Sequence, residues 1–596
     1  MAGRPIEGMA EEREPQSKSP GDLRRRLLDL AYHPHIPEGA YLTIIAILVG
    51  LATGVGSVTF IKLLQYTTHL SFETGQQVLA ALGKYYVIIL PAVGGLIVGP
   101  LIYRFAQEAK GHGVPEVMTD IAVKGGRIRK RVALVKILAS AVTIGSGGSA
   151  GREGPMIQIG AGIGSTVGQF LKMSDARIKT LVACGAAGGI AATFNAPIAG
   201  AMFALEILMG HVNLGFSLVV LASVASAIVS RSMLGDFPAF TVPAYRLMSA
   251  NEMPLYLLLG ILAGLAAVAF VRILYWFEDR FDGWRFPPYL KPAVGGLLVG
   301  VIGFFLPQVF GTGFPAIEDA LNGRVPFYLL GILIFSKILA NSLTLGSGGS
   351  GGVFAPALFV GAMLGGAYGN IVHDMFPSFT AGPGAYAVAG MGAVFAGAAQ
   401  APITAIIIIF EMTGDYRIIL PIMSSTVISV LIYNVLNKET IYTLKLVKRG
   451  IRFRAGRDVD VMASIPVRDA LTHRLLWVPE EMTVEGFLQK SAEEQHEWFP
   501  VLNQAGELIG VVTAQDVQKA LGNGDLQAKV GELATKELVT VTPENSLHDV
   551  LVRFHVRDLG HLPVVESSNP RKLVGVISRT HVIRAYNRAL ISKHLL

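Results

Sequence analysis

The sequence predicts a multi-pass α-helical membrane protein whose membrane domain is a duplication, followed by a smaller α/β domain. Of its 596 residues 52% are hydrophobic and only 16% are charged, whereas soluble domains carry roughly 25% charged residues. Sequence blocks recur about 200 residues apart, which is the mark of an internal repeat. After residue 446 the long apolar runs give way to short Val/Ile runs, charged helices and turns.

Composition and charge exclude several functions. The single cysteine, Cys184, cannot form an intrachain disulfide, and no Cys/His spacing resembles a zinc site, so metal and redox chemistry are not expected. The formal net charge is +7. Its basic residues flank apolar segments, as in residues 24–26 and the loop at residues 124–131. Such clusters predict cytoplasmic segments of a cell-membrane protein, with both termini cytoplasmic, rather than nucleic-acid binding.

The first 38 residues are polar and mix both charge signs, which predicts a cytoplasmic tail rather than a signal peptide. Residues 40–64 and 85–103 are long and apolar enough to span a bilayer. From residue 132 to about 437 many apolar segments are only 10 to 17 residues long and are interrupted by Gly and Pro. Broken helices are tolerated at membrane depth only where protein buries them or they line a cavity. Residues 39–446 therefore form the predicted membrane domain.

Residues 447–596 contain two similar α/β units. Strands are predicted at residues 499–502 and 510–513 in the first unit and at 562–565 and 575–578 in the second, each second strand leading into a helix. The arrangement resembles a tandem CBS pair.

The duplication of the membrane domain is read directly from three block pairs. Residues 136–149 return as 337–350 with 10 of 14 positions identical. Residues 111–115 return as 311–315. The sequence Ala-Pro-Ile at residues 196–198, followed by Glu206, returns at residues 401–403, followed by Glu411. Duplicated membrane folds place their substrate near the midplane, where broken helices from both halves meet.

Each half contains a Gly/Ser-rich turn ending in proline, at residues 151–155 and 352–356. Proline favours the first helical turn, so each block predicts a helix that begins inside the membrane. Such helix starts present unpaired N–H groups and the positive end of the helix dipole to one point, which predicts an anion site. The alternative is that these glycines only permit close helix packing.

These motifs resemble those of the CLC family, the voltage-gated chloride channels and proton-coupled chloride transporters. The family patterns GxGxPE, G(K/R)EGP and GxFxP stand here at residues 111–116, 151–155 and 352–356, followed by the CBS pair. The resemblance implies a homodimer with one pathway for chloride or another small anion in each subunit. It also implies that the two halves of each subunit form an inverted repeat.

The resemblance assigns Glu153 as the gate, since a carboxylate at a helix start can take the place of a chloride and protonation would release it. An ionisable residue deep in a membrane is a functional candidate on physical grounds as well. Its counterpart in the second half is Phe354. The predicted anion-binding residues are Gly111, His112, Gly113, Arg152, Gly154, Val353, Phe354 and Tyr442, the last through its hydroxyl.

His112 departs from the family pattern, which has Ser or Pro between the two glycines. A neutral imidazole can donate an N–H group to an anion, and a protonated one would hold it strongly and confer pH sensitivity. The alternative is a histidine that is turned away, with the backbone alone binding the anion.

Proton coupling depends on a second departure. The family's transporters carry two consecutive glutamates where this chain has Glu206 and Ile207, and an aliphatic side chain cannot relay a proton. Ile207 therefore predicts a passive chloride channel. Coupled chloride/proton exchange remains the alternative, because Glu206, Glu116 or a water wire could still deliver protons to Glu153. Glu206 and its repeat counterpart Glu411 are alternatively structural helix-end carboxylates.

The CBS resemblance implies regulatory binding of ATP, ADP or AMP, with Asp516 on the ribose and Thr513 nearby; the second unit has His581 at the position of the aspartate. A purely structural CBS pair is the alternative. CBS-regulated cation transport would need several inward-facing carboxylates, which the membrane segments lack. No nucleophile, base and metal combination indicates an enzyme, so no catalytic residue is assigned.

Overall fold

The computed structural model describes residues 38–592, with gaps at 79, 211–214, 237–239, 241, 244, 246, 452–461, 463–464, 472–474, 495, 523–524 and 558. The chain divides into two compact units, one formed by residues 38–121 and 125–441 and the other by 122–124 and 442–592. The boundary between the units, at residues 441 and 442, lies a few residues before the boundary predicted after residue 446. The tail and its arginines at 24–26 lie outside the described residues.

The first unit is entirely helical in its described residues. The first helix continues as π-helical and α-helical turns, Leu70–Thr74 and Gly75–Val78. The helices are α1 Glu38–His69, α2 Tyr86–Phe105, α3 Val114–Val123, α4 Lys130–Gly145, α5 Glu153–Phe170, α6 Asp175–Phe194, α7 Pro197–Phe203, α8 Phe216–Leu234, α9 Met253–Gly283, α10 Lys291–Phe305, α11 Phe314–Leu321, α12 Phe327–Gly346, α13 Phe354–Met375, α14 Pro383–Ala399, α15 Pro402–Thr413 and α16 Ile419–Leu436.

Seven helical segments in the described part of the chain are long and apolar enough to cross a membrane. Between them lie shorter apolar helices, such as α7, α10, α14 and α15, which confirms the mixture of spanning and broken helices. The core of each half is one helix pair, α5 with α6 and α13 with α14. A Cβ on Gly160 would lie 2.1 Å from the carbonyl oxygen of Gly185, and one on Gly361 would lie 2.3 Å from that of Gly390. Both pairs therefore cross with their backbones in contact, which only glycine permits.

The second unit begins with α17 Thr443–Lys448 and contains two α/β modules. The first contains β1 Val478–Pro479, α18 Val484–Glu494, β2 Trp498–Leu502, β3 Leu508–Thr513, α19 Ala514–Gly522 and α20 Val530–Leu533. The second contains α21 Leu547–Arg557, β4 His561–Glu566, β5 Asn569–Ser578 and α22 Arg579–Ser592. Strand β2 pairs parallel to β1 and antiparallel to β3, and β4 pairs antiparallel to β5. The predicted strand-to-helix order is confirmed in both modules.

Candidate functional site

The Gly/Ser-rich turns of the two halves bond to each other through their backbones. Gly151 and Gly352 exchange two N–H to carbonyl hydrogen bonds, of 2.8 and 2.6 Å. The N–H group of Ala150 donates to the carbonyl of Gly311 at 3.2 Å, and that of Gly351 donates to the carbonyl of Gly111 at 3.3 Å. Each of these bonds from the first half to the second is answered by the equivalent bond in reverse. Such reciprocity is the signature of two units related by a two-fold axis.

Side chains repeat this reciprocity. The hydroxyl of Thr344 accepts from the N–H group of Ser149 at 3.0 Å, and the hydroxyl of Thr143 accepts from that of Ser350 at 3.2 Å. Buried N–H groups need such partners in a membrane, where no water replaces them. The duplicated blocks of the two halves are therefore hydrogen-bonded to each other where the halves meet.

A buried lysine supports the preceding turn in each half. Lys136 donates to the carbonyls of Ala109 and Gly111 at 3.0 and 2.7 Å. Lys337, its repeat counterpart, donates to the carbonyls of Val309 and Gly311, both at 3.0 Å. Both lysines are 0% exposed. Each lysine thus supports, through two hydrogen bonds, a turn that precedes its own helix in the sequence.

Two glycines of the predicted set are sterically required. A Cβ on Gly154 would lie 2.2 Å from the carbonyl oxygen of His112 and 3.0 Å from the Cα of Gly352. Gly113 has φ of +79°, a left-handed conformation that side chains disfavour. Three predicted anion-binding turns therefore meet at the first turn of α5. The close packing of these glycines is compatible with the anion-site interpretation, which stays a prediction.

Glu153 is the first residue of α5 and is 0% exposed. Its carboxylate Oε2 accepts a long hydrogen bond, 3.4 Å, from the backbone N–H of Ala355 in the first turn of α13. The side chain of one half thus reaches the helix start of the other half. A carboxylate is well stabilised there by the helix dipole and the unpaired N–H groups. That an anion binds at this helix start stays a prediction.

The residues beside the two helix starts are held by packing. Arg152 donates to the carbonyl of Thr193 at 3.1 Å, and its guanidinium lies 5.1 Å from the ring centroid of Phe314. Val353 is the N-cap of α13, and Phe354 begins it. The Phe354 ring packs 4.1 Å, centroid to centroid, from that of Phe395. Arg152 is therefore positioned by α6 and α11, and its predicted anion contact stays a prediction.

The side chain of His112 is directed at α9. Its Nε2 lies 3.4 Å from the hydroxyl of Tyr275, which donates to the carbonyl of Ile441 at 2.7 Å. Because the tyrosine proton is engaged by that carbonyl, the tyrosine oxygen accepts, and Nε2 is assigned as the protonated nitrogen. This geometry supports the interpretation in which the backbone of the turn, rather than this N–H group, faces the anion.

Glu206 and Glu411 each cap the N-terminus of a helix in the opposite half. Glu206 accepts from the N–H groups of Ile403 and Thr404, at 3.2 and 2.8 Å, at the start of α15. It also accepts from the Thr404 hydroxyl at 2.6 Å. Glu411 accepts from the N–H groups of residues 198 and 199, at 3.1 and 2.7 Å, at the start of α7. These contacts are those of structural capping carboxylates.

Ile207 follows Glu206 in a π-helical segment, Ala204–Met209, and is 1% exposed. Its side chain is buried and offers no proton-carrying group. Glu116, the other carboxylate considered as a proton donor, is a buried residue of α3.

The remaining predicted residues belong to the second unit. Tyr442 is buried and precedes α17, and its anion contact stays a prediction. Asp516 accepts from the N–H group and the hydroxyl of Thr513, at 3.0 and 2.7 Å. Asp549 and Ser546 make the same contacts at the start of α21, so helix capping alone explains the Thr513–Asp516 geometry.

Sequence reasoning missed the lysines and the threonines of the repeated blocks. A lysine retained at both copies of an otherwise apolar block was the available signal for Lys136 and Lys337. The contact between His112 and Tyr275 had no such signal, because it joins the turn before α3 to α9, a helix that is distant in the sequence.

Comparison with known proteins agrees with this architecture. Residues 94–434 match the voltage gated chloride channel family, and residues 467–523 and 530–588 match the CBS domain. The chloride channel protein CLC-e of Arabidopsis thaliana is 31% identical over 92% of this chain and 88% of its own length. An H(+)/Cl(-) exchange transporter ClcA of Vibrio campbellii is 34% identical over 61% of this chain and 79% of its own length.

A solved structure, that of a slow cyanobacterial Cl-/H+ antiporter, matches 68% of this chain and 97% of its own with a TM-score of 0.62 and 29% identity. The predicted fold class is confirmed: a multi-pass helical membrane protein with an inverted repeat and a C-terminal CBS pair. The chain belongs to the voltage gated chloride channel family, the CLC family of chloride channels and transporters.

Proposed function

We propose that this protein exchanges chloride for protons across the membrane, with Glu153 as both the gate and the proton carrier. The observation that carries the proposal is the fully buried Glu153 carboxylate at the start of α13. The similarity to the Vibrio exchange transporter and to the cyanobacterial antiporter supports exchange over the passive conduction that Ile207 predicts.

The geometry gives exchange a simple physical basis. A carboxylate and a chloride ion compete for the same converging N–H groups, since both are anions and the helix starts stabilise one negative charge. Protonation neutralises Glu153 and removes its attraction to that position, so an anion can replace it. Proton binding and chloride binding at one place are thereby linked, and each promotes the other.

A passive chloride channel is the second candidate. It is favoured by Ile207, which is buried and cannot relay a proton, and by Glu206, whose carboxylate already accepts three hydrogen bonds. In an exchanger with these residues, protons must reach Glu153 by another route, and internal water is the route that requires no ionisable side chain at position 207.

The reversal potential of purified protein in liposomes separates the two candidates. Under a fixed chloride gradient, exchange predicts a reversal potential that shifts when a pH gradient is imposed. A reversal potential that stays at the chloride equilibrium value under every pH gradient would establish a channel and refute the proposal.

We predict that Glu206→Gln lowers the thermal stability without changing the pH-driven shift of the reversal potential. Glutamine replaces one accepting oxygen by an NH2 group and leaves a helix-start N–H unpaired, at a cost of about 1–3 kcal/mol. Glu411→Gln is the matched control, because it removes the equivalent cap in the other half. If Glu206→Gln alone abolishes proton coupling, Glu206 is part of the proton pathway and not only a cap.

We also propose the assembly, orientation and regulation that the family implies. The homodimer, the cytoplasmic termini at the cell membrane and the binding of ATP, ADP or AMP near Thr513 and Asp516 belong to this proposal. The basic loop between α3 and α4 supports the orientation, because Lys and Arg are retained on the cytoplasmic side. A nucleotide would regulate transport only by binding one conformation more tightly than another.

A further inference from the structure

One face of α9 holds the turn at residues 111–113 in place. The hydroxyl of Tyr275, a residue that is 3% exposed, lies 3.4 Å from Nε2 of His112. Two helical turns further along α9, the carboxylate of Asp282 pairs with the ammonium group of Lys110 at 2.7 Å. Residues seven positions apart lie on the same face of a helix. The turn is therefore anchored to α9 at two points.

The same face of α9 also holds the chain segment that follows α16. Tyr275 donates to the carbonyl of Ile441 at 2.7 Å. One turn earlier on α9, Arg272 donates to the carbonyl of Leu436, the last residue of α16, at 3.2 Å. The segment leads directly into Tyr442, which the sequence predicts to be an anion ligand. Its backbone lies outside the helices, so these side-chain bonds fix its path.

The hydroxyl of Tyr275 thus connects the two segments. It donates its proton to the carbonyl of Ile441 and accepts the Nε2 proton of His112. Both partners are buried, and a buried polar group that loses its partner costs free energy. The ion pair of Lys110 with Asp282 is exposed, and exposed ion pairs contribute little. The buried hydroxyl is therefore the stronger of the two anchors of the turn.

The equivalent turn of the second half is held differently. Phe310 and Thr312 stand where the first half has Lys110 and His112. The ring of Phe310 packs against that of Phe72, with centroids 5.6 Å apart. A phenylalanine side chain has no charge, so the ion pair of the first half has no equivalent at this position. Because the second turn forms without these polar contacts, folding of the turn alone does not explain them in the first.

We propose that Tyr275 is a positioning residue for anion selectivity, because its hydroxyl fixes the turn at residues 111–113 relative to the backbone at Ile441. A binding site discriminates only while its groups are held within about 0.5 Å of the binding geometry. Nitrate is larger than chloride, so a turn that moves accepts nitrate more readily and holds chloride less well. The inference rests on the proposed transport of chloride, and it applies equally to an exchanger and to a channel.

The variant Tyr275→Phe tests the proposal, since it keeps the ring and removes only the hydroxyl. The measurement is the ratio of nitrate to chloride efflux from liposomes loaded with either anion, with the same pH on both sides. We expect this ratio to rise about two- to tenfold, the factor by which one hydrogen bond changes an equilibrium. A ratio of two rates does not depend on how much of the protein is folded. A merely structural role of the hydroxyl would therefore leave the ratio unchanged.

Tyr256→Phe is the matched control. Tyr256 lies on the same helix, is 0% exposed and donates to a carboxylate oxygen of Glu252 at 3.3 Å, so the variant loses the same group at another place. Its nitrate-to-chloride ratio should equal that of the unchanged protein. An equal rise in both variants, or an unchanged ratio in Tyr275→Phe, would overturn the proposal. Absence of chloride efflux from the unchanged protein would instead refute the proposed transport, and this inference with it.

A double-mutant cycle identifies the partner through which the hydroxyl acts. His112→Leu removes the N–H group that Tyr275 accepts and keeps an apolar side chain in its place. Substitutions of two residues in contact have non-additive effects. His112→Leu alone should therefore raise the nitrate-to-chloride ratio, and it should add little to the effect of Tyr275→Phe. If the two effects multiply, the histidine acts on the anion by itself, and the connection through Tyr275 is refuted.

Discussion

Replacing Glu153 by glutamine is expected to abolish the effect of a pH gradient on the reversal potential while chloride still permeates. Glutamine has nearly the shape of the protonated glutamate but cannot release a proton, so it carries none across the membrane. It is also neutral, and it no longer competes as an anion for the N–H groups at the start of α13. The measurement is the reversal potential in liposomes, with chloride efflux recorded at several pH values. The chloride efflux of the variant should be nearly independent of pH.

A matched control makes this result specific. Glu73→Gln is the same substitution at an exposed position, where the carboxylate pairs with His69 at 3.0 Å. It should leave proton coupling and the pH dependence of chloride efflux as they are in the unchanged protein. If Glu153→Gln retains the pH-driven shift of the reversal potential, another group carries the proton and the assignment of Glu153 is wrong.

Replacing Lys136 by methionine is expected to weaken chloride binding at least about tenfold, or about 1.4 kcal/mol. Its ammonium group holds the carbonyls of Ala109 and Gly111. Gly111 begins the turn whose N–H groups are predicted to face the anion, and its φ is +74°. Methionine fills a similar volume but cannot hold the carbonyls.

The internal repeat supplies the control for this prediction. Lys337→Met removes the same two contacts from Val309 and Gly311, in the turn that is not among the predicted anion ligands. Each variant removes two hydrogen bonds from a lysine to buried carbonyls, at about 0.5–1.5 kcal/mol apiece, so both should lower the thermal stability similarly. Only Lys136→Met should strongly reduce the heat of chloride binding in calorimetry. Equal loss of chloride affinity in both variants would contradict a specific role for the first turn.

The features visible in the sequence are those with a local cause. Glycines precede Glu153 and Phe354, a proline follows each of them two residues later, and both helices begin at these residues. The 200-residue offset predicts a duplication because each copy retains the same local signals. The strands of the CBS modules are likewise predicted by short Val/Ile runs, and the structure confirms them.

Features that join distant segments had no comparable signal. The sequence shows that Glu206 and Glu411 are equivalent, but their partners are set by how the two halves meet. The direction of the His112 side chain depends on Tyr275, a residue of α9. A cavity of the second unit is lined by residues of both CBS modules, and only the folded arrangement brings His496 and His581 into its lining.

The exchanged glutamate caps have a consequence for how the chain is made. A ribosome releases residues in order, so Glu206 emerges long before residues 403 and 404, its partners, have been synthesised. Until then the first half holds an uncompensated carboxylate, and the start of α7 still lacks Glu411. Neither half can complete its own helix ends, and an isolated half should therefore be poorly stable in a bilayer. The membrane domain therefore reaches its final fold only late in synthesis. If the two halves are expressed as separate polypeptides, each should fold stably only when the other half is also present.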